Sequence, residues 1–142
     1  MKGTFGIANT DLNWFSQLRN DGFNQSLVNF WTPTPWNIKR LKKDDFLYFM
    51  LKSPIRKIGG YGKFVEYKNM STSAAWNKYG TNNGVLSLND LNARTDFYNH
   101  KNSQSSSLNQ IGCILLDEIE LFDDNQFKAP ESLLGVSFAR QI

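Results

Sequence analysis

The sequence predicts a small α+β domain or a partly closed barrel, on three observations. Residues 46–51 (FLYFML) and 112–121 (GCILLDEIEL) are apolar runs of strand length, the first near-continuous as in a central strand. Between such runs lie short segments with apolar residues at helical spacing, each opened by a capping Ser, Thr or Asp. The chain of 142 residues is the length of one domain.

Taken in order, residues 3–9 (GTFGIAN) read as a short strand with alternate apolar positions. Thr10-Asp11 offers a helix N-cap, and Leu12, Phe15 and Leu18 recur at helical spacing until Asn20-Asp21-Gly22 closes the segment. Residues 26–31 are a second strand candidate, and Pro33 and Pro35 forbid regular structure after it. Residues 36–43 suit one or two helical turns, with Ile38 and Leu41 inward and Lys39, Arg40, Lys42 and Lys43 outward. The 46–51 strand follows, then a basic turn at 53–57. A strand at 58–67 comes next, its glycines permitting close backbone approach. Residues 71–79 and 87–98 read as short helices. Ser87 caps the second, and Asp90 sits at its third position, where a carboxylate suits the helix dipole. Residues 99–109 are polar and read as a loop. The 112–121 strand, a turn at Asp123-Asp124-Asn125 and a last short element from Ala129-Pro130-Glu131 complete the chain.

Charge is distributed unevenly. Residues 1–68 carry 11 Lys and Arg against 5 Asp and Glu, whereas residues 69–142 carry 5 against 8. A basic half beside an acidic half points to one surface for a polyanion. The lone cysteine, Cys113, lies in the apolar run IGCILL, where it forms neither an internal disulfide nor a thiolate metal site and is expected to be buried and inert. Lys2 is followed by no apolar leader, and no stretch has the apolar length of a membrane span, so a reducing cytoplasm is expected.

Several chemistries lack their residues. The single histidine, His100, sits in the polar 99–109 segment and reads as a surface residue rather than a catalytic base. Gly59-Gly60-Tyr61-Gly62 has neither the spacing nor the Lys-Ser/Thr ending of a phosphate-binding loop. Asp117, Glu118 and Glu120 read as a solvated strand end, with no second acidic set or histidine to complete a metal site. The expectation is therefore a binding domain without catalytic residues, cofactor or metal.

Residues 29–67 are the most informative stretch for function. Trp31 and Trp36 flank a Thr-Pro-Thr-Pro turn beside a basic segment. Aromatic rings beside clustered cations stack on a base while the cations hold its phosphates. Enclosing a base from a duplex costs a few kcal/mol of unstacking, and one stacked ring returns about 1–3 kcal/mol. The expected base pocket comprises Asp11, Trp14, Trp31, Trp36, Ser53 and Tyr61. The expected phosphate contacts are Lys39, Arg40, Lys42, Lys43, Lys52, Arg56 and Lys57. Asp11 is read either as the acceptor of a base amino group or as the first helix's cap. Trp14 is read either as pocket wall or as core, and Trp76 as core.

Six segments also carry a family resemblance. They are Thr10-Asp11-x-x-Trp14-Phe15, Asn29-Phe30-Trp31, Asp45-Phe46-Leu47-Tyr48-Phe49, Gly59-Gly60-Tyr61-Gly62-Lys63-Phe64, Ser73-Ala74-Ala75-Trp76 and Ile111-Gly112-Cys113-Ile114-Leu115-Leu116. In this order, over about residues 5–138, the chain resembles the N-terminal domain of restriction endonucleases that carry an HNH nuclease domain further on. Such domains are similar to the PUA-like superfamily, which includes the EVE, YTH, ASCH and SRA domains. The resemblance implies a compact, curved PUA-like β-barrel with short peripheral helices and a pocket for one flipped, modified base. Trp31 with Asn37-Ile38-Lys39-Arg40-Leu41 looks like the cage tryptophan and basic helix of the YTH branch, and the Tyr61-Gly62-Lys63-Phe64 strand resembles the family's glycine-rich strand. It also implies that residues 1–142 are one specificity module. Its partner would be double-stranded DNA bearing a modified base, a modified cytosine foremost, and its output an HNH nuclease in the same polypeptide. A different class of reading stays beside it: an RNA-binding PUA-like module in RNA modification or translation, since the stacking chemistry is shared and only 2′-hydroxyl contacts differ.

Overall fold

A computed structural model describes residues 5–21, 27–32, 41–101 and 110–129. The elements are β1 (Phe5–Thr10), α1 (Leu12–Asp21), β2 (Val28–Thr32), β3 (Phe46–Leu51), β4 (Ile58–Ser71), α2 (Thr72–Tyr79), α3 (Leu88–Lys101) and β5 (Gln110–Leu121). Short 3-10 turns lie at Gly80–Asn83 and Asp124–Gln126. The five strands form one sheet in the order β1-β3-β4-β5-β2. β1 and β3 are parallel, and every other neighbouring pair is antiparallel.

The sheet curves because its ladders slip. Pairing skips one residue between Gly60 and Ile58 opposite Phe49 and Met50 and again between Phe64 and Glu66, and a third irregularity leaves out Glu118 and Ile119 on β5 opposite Gly62 on β4. Each such bulge adds local twist and bends its strand. At the third, Glu118 takes a left-handed φ of 47°. Asp117, Glu118 and Glu120 thus lie along a bulged strand end rather than a regular one. Glu118 and Glu120 are exposed, and Glu118 pairs with Lys63 at 3.2 Å.

β5 is buried on both faces over residues 111–116. Ile114 and Leu116 point into one core with Trp14, Phe15, Leu18, Leu47, Phe49 and Leu51. Ile111, Cys113 and Leu115 point into a second core with Ala75, Val85 and Leu91. The alternation follows from the two-residue period of a strand. Both cores draw on residues the sequence marked as apolar strand or helix positions.

The helix starts expected from capping residues are in place. Ser71 Oγ accepts from Ala74 N–H at 3.1 Å, and Ser87 Oγ accepts from Asp90 N–H at 3.1 Å. Three expectations need correction. β4 continues to Ser71 rather than ending at Tyr67, because it pairs with β5 along that length. α3 runs to Lys101, into the segment read as loop. Lys42 and Lys43 are not helical, since the chain there makes the turn into β3, with Asp44 at a φ of 73° and Asp45 N–H donating to the Lys42 carbonyl. The remainder of the 36–43 segment, with Trp36, Lys39 and Arg40, lies outside the described residues, as does the element expected from Pro130 onward. No helix among the described residues is long and apolar enough to cross a membrane.

Candidate functional site

β1 and β3 are parallel, so both release the chain at the same edge of the sheet. Thr10 and Leu51, the last residues of the two strands, are register partners. From Thr10 the chain turns through Asp11 into α1, and the Asp11 carbonyl accepts the first helical bond from Phe15 at 3.1 Å. From Leu51 it enters the β3–β4 loop. There Lys52 N–H donates to the Thr10 carbonyl at 3.1 Å and ties the two exits together. The loop is closed by a 2.9 Å bond from Leu51 N–H to the Lys57 carbonyl, and its Ser53-Pro54 peptide is cis.

A cleft of about 570 Å³ opens at this edge, lined by Asp11, Leu12, Asn13, Lys52, Ser53, Ala93 and Arg94. Its volume lies in the range of small-molecule sites. Lys52 Nζ donates to Asp11 Oδ1 at 2.6 Å. Arg94 closes the far side from α3. Its Nε and Nη2 grip the two Asp90 oxygens at 3.2 and 3.1 Å, and Nη1 donates to the Gly84 carbonyl at 3.2 Å. That three-point hold fixes the guanidinium plane. The cleft thus presents an ammonium, a guanidinium, a carboxylate, a hydroxyl and an amide around one concave space. Among the described residues, no cluster of three His, Cys, Asp or Glu side chains is placed to hold a metal ion.

Three of the sequence-nominated residues meet there: Asp11, Lys52 and Ser53. Trp14 and Trp31 do not, and Trp36 lies outside the described residues. Trp14 is 5% exposed and packs edge-on against Phe30 and Phe49, while its indole N–H donates to the Asn29 carbonyl at 3.1 Å. Trp31 is half-buried between the two cores, and its N–H donates to the Asn83 carbonyl at 3.0 Å. Tyr61 lies on the opposite sheet face in a train of rings with Phe46, Tyr48 and Phe122, at centroid separations of 5.4 to 6.1 Å. Burial, and then the neighbouring Tyr61, raises the Tyr48 hydroxyl pKa.

The basic set is divided. Lys52, Arg56 and Lys57 are exposed beyond the end of β3, whereas Lys42 and Lys43 are exposed before its start. Six strand residues separate the two groups by roughly 17 Å. Lys39 and Arg40 lie outside the described residues.

Sequence reasoning missed Leu12, Asn13, Ala93 and Arg94 as site residues. The signal for Arg94 was present in the i, i+4 spacing from Asp90, although that spacing indicates an ion pair and not a site.

A buried polar seam links Asn29, Asn83 and Cys113. Asn29 Nδ2 donates to Asn83 Oδ1 at 2.8 Å and to Cys113 Sγ at 3.3 Å, and Asn83 Nδ2 reaches the carbonyls of Ala75 and Gly80. Asn29 Oδ1 is buried without a hydrogen-bond partner. Burial lifts the Cys113 thiol pKa to about 11, with the Asn29 contact pulling the other way. The thiol is buried and held protonated, as expected of a structural cysteine.

No protein-family model matches the chain, and no curated protein matches it. Its fold is similar to crystal structures of ASCH from Zymomonas mobilis. One superposes with a TM-score of 0.56 at 11% identity, covering 96% of this chain and 83% of that one. A serine-to-alanine mutant of the same protein gives 0.55 at 9% identity, covering 96% and 84%. A tyrosine-to-phenylalanine mutant gives 0.52 at 11% identity, covering 90% and 86%. The fold is PUA-like: a compact α+β domain with a curved sheet and peripheral helices, as the sequence predicts.

Proposed function

We propose that this chain is an RNA-binding PUA-like module that takes one nucleotide into the cleft at the ends of β1 and β3. The observation that carries this reading is the convergence of Asp11, Lys52, Ser53 and Arg94 on one nucleotide-sized concavity. Each has a role that its chemistry fits. Lys52, reaching in from an exposed loop, neutralises a phosphate as a point charge. The Asp11 carboxylate, paired with Lys52, is an acceptor for an exocyclic amino group of the base. The Ser53 hydroxyl and the Asn13 amide are groups that engage a ribose 2′-hydroxyl, the atom that separates RNA from DNA. Arg94 offers a planar face for stacking.

Reading a modified base in duplex DNA rested on an aromatic cage and on a nuclease partner. The indole N–H groups of Trp14 and Trp31 are both engaged inside the domain, and neither ring lines the cleft. The fold neighbours are ASCH structures, a likeness that supports a PUA-like RNA-binding reading. RNA is therefore the better-supported ligand, and binding without turnover the reading we favour.

Fluorescence anisotropy against matched RNA and DNA oligonucleotides decides the matter. Single-stranded RNA should bind tighter than DNA of the same sequence and be recovered intact. Lys52→Ala should weaken RNA binding about tenfold, the worth of one charge-assisted contact. If methylated or hydroxymethylated duplex DNA binds tighter than RNA, and Trp31→Ala removes that preference without unfolding the domain, the cage reading is restored and ours fails.

A further inference from the structure

The outward face of α1 carries Asn13, Ser16, Gln17 and Asn20, an i, i+3, i+4, i+7 stripe without a charge. These four residues, with Leu86 and Arg94, line a second cavity of about 370 Å³. Asn13 and Arg94 line both cavities, so the two adjoin across these side chains. The Leu86 side chain is 63% exposed, one of two large exposed hydrophobic residues among those described. Its backbone is fixed by the N–H bond to Asp90 Oδ2 at 3.2 Å.

We propose that this second cavity is a subsite for the adjacent nucleotide of a single-stranded RNA. The module would then engage two consecutive nucleotides divided by the Arg94 guanidinium. This rests on the reading of the first cleft as a nucleotide site. The chemistry differs between the halves in the way two consecutive nucleotides require. The first half holds the Lys52 ammonium, beside Asp11, for a phosphate. The second offers carboxamides, which pair donor with acceptor along a base edge, and an apolar surface at Leu86 for the base face. Arg94 cannot swing away to follow one ligand, because Asp90 and the Gly84 carbonyl hold it. A fixed plane at this boundary stacks on a base from either side.

Titrating the full chain with a mononucleotide, the dinucleotide and a hexanucleotide RNA separates the two halves. The dinucleotide should bind about tenfold tighter than the mononucleotide, the lower end of what one added stacked base contributes. Gln17→Ala/Asn20→Ala should abolish that gain and leave mononucleotide affinity unchanged. Both positions are on a helix face that tolerates alanine. Leu86→Ser, outside α1, should reduce the gain as well. A dinucleotide gain that survives in both variants, or no gain in the parent, overturns the second subsite while leaving a Lys52-dependent mononucleotide site standing. Absence of any Lys52-dependent binding overturns both.

Discussion

The two faces of α1 make opposite use of one short helix. Trp14, Phe15 and Leu18 on the inner face are 5%, 1% and 0% exposed and close the first core. Asn13, Ser16, Gln17 and Asn20 on the outer face line a groove instead. The large ring that the sequence leaves open between pocket wall and core is used for packing, and the small polar residues beside it line the candidate site. The reason is energetic. Burying an indole removes a large apolar area from water, and its N–H is satisfied by a nearby carbonyl. The outer carboxamides are not buried as Asn29 and Asn83 are, and stay at a wet surface.

The most severe way to break the inner face is Trp14→Ala. Emptying a site packed against Phe30 and Phe49 should cost about 3–5 kcal/mol, read as a shift in the denaturation midpoint. A loss under about 1 kcal/mol would show that the ring is not core.

The polar seam behind it should give the next largest effect. Asn83→Ala strands the Asn29 amide and the Ala75 and Gly80 carbonyls, and should cost about 1–3 kcal/mol. In a double-mutant cycle with Asn29→Ala the two losses should not add, since the residues share a bond.

Gly84 offers a cleaner probe of the same boundary. Its φ is 71°, and a Cβ there would collide with the Trp14 ring. Gly84→Ala should lose at least the roughly 1–2 kcal/mol of left-handed strain. Trp14 fluorescence should change if the ring is displaced.

Titration of Cys113 probes the interior by a different observable. The folded thiol pKa, about 11, lies above the ordinary value of 9.0. Between those two values the unfolded chain releases a proton that the folded chain keeps, so stability should fall as pH rises from 9.0 to about 11. The raised Tyr48 and Tyr79 pKa values act in the same direction at higher pH. Comparing pH–stability profiles of the parent and Cys113→Ala isolates the thiol; identical slopes would show that burial does not hold its proton.

The outer face should respond least in stability and most in binding. Lys52→Ala breaks a solvent-exposed pair with Asp11 and should change stability by less than about 1 kcal/mol. A large destabilisation there would make the pair structural and weaken its assignment to a ligand.

Much of the fold was legible in advance. The β3 and β5 strands announce themselves as apolar runs, α1 as an apolar stripe between Thr10-Asp11 and Asp21, and α2 and α3 through Ser71 and Ser87. The candidate site was legible only in part. Asp11, Lys52 and Ser53 were chosen for their chemistry. Nothing local said that Asp11 and Lys52, 41 positions apart, would touch. The fate of each indole was equally hidden, because the acceptors of Trp14 and Trp31 lie 15 and 52 residues away.

What the sequence by itself determined is therefore the set of elements, their caps and the apolar faces that must be buried. These depend on neighbours within one or two turns or strand steps. The tertiary structure decided which surface is concave, which cations are separated by the length of β3, and which ring is wall and which is core. Those outcomes depend on the parallel pairing of β1 with β3, which brings Thr10 beside Leu51. They depend equally on the bulges that curve the sheet. Contacts across tens of residues arise from chain closure and packing, and periodicity along the chain does not encode them.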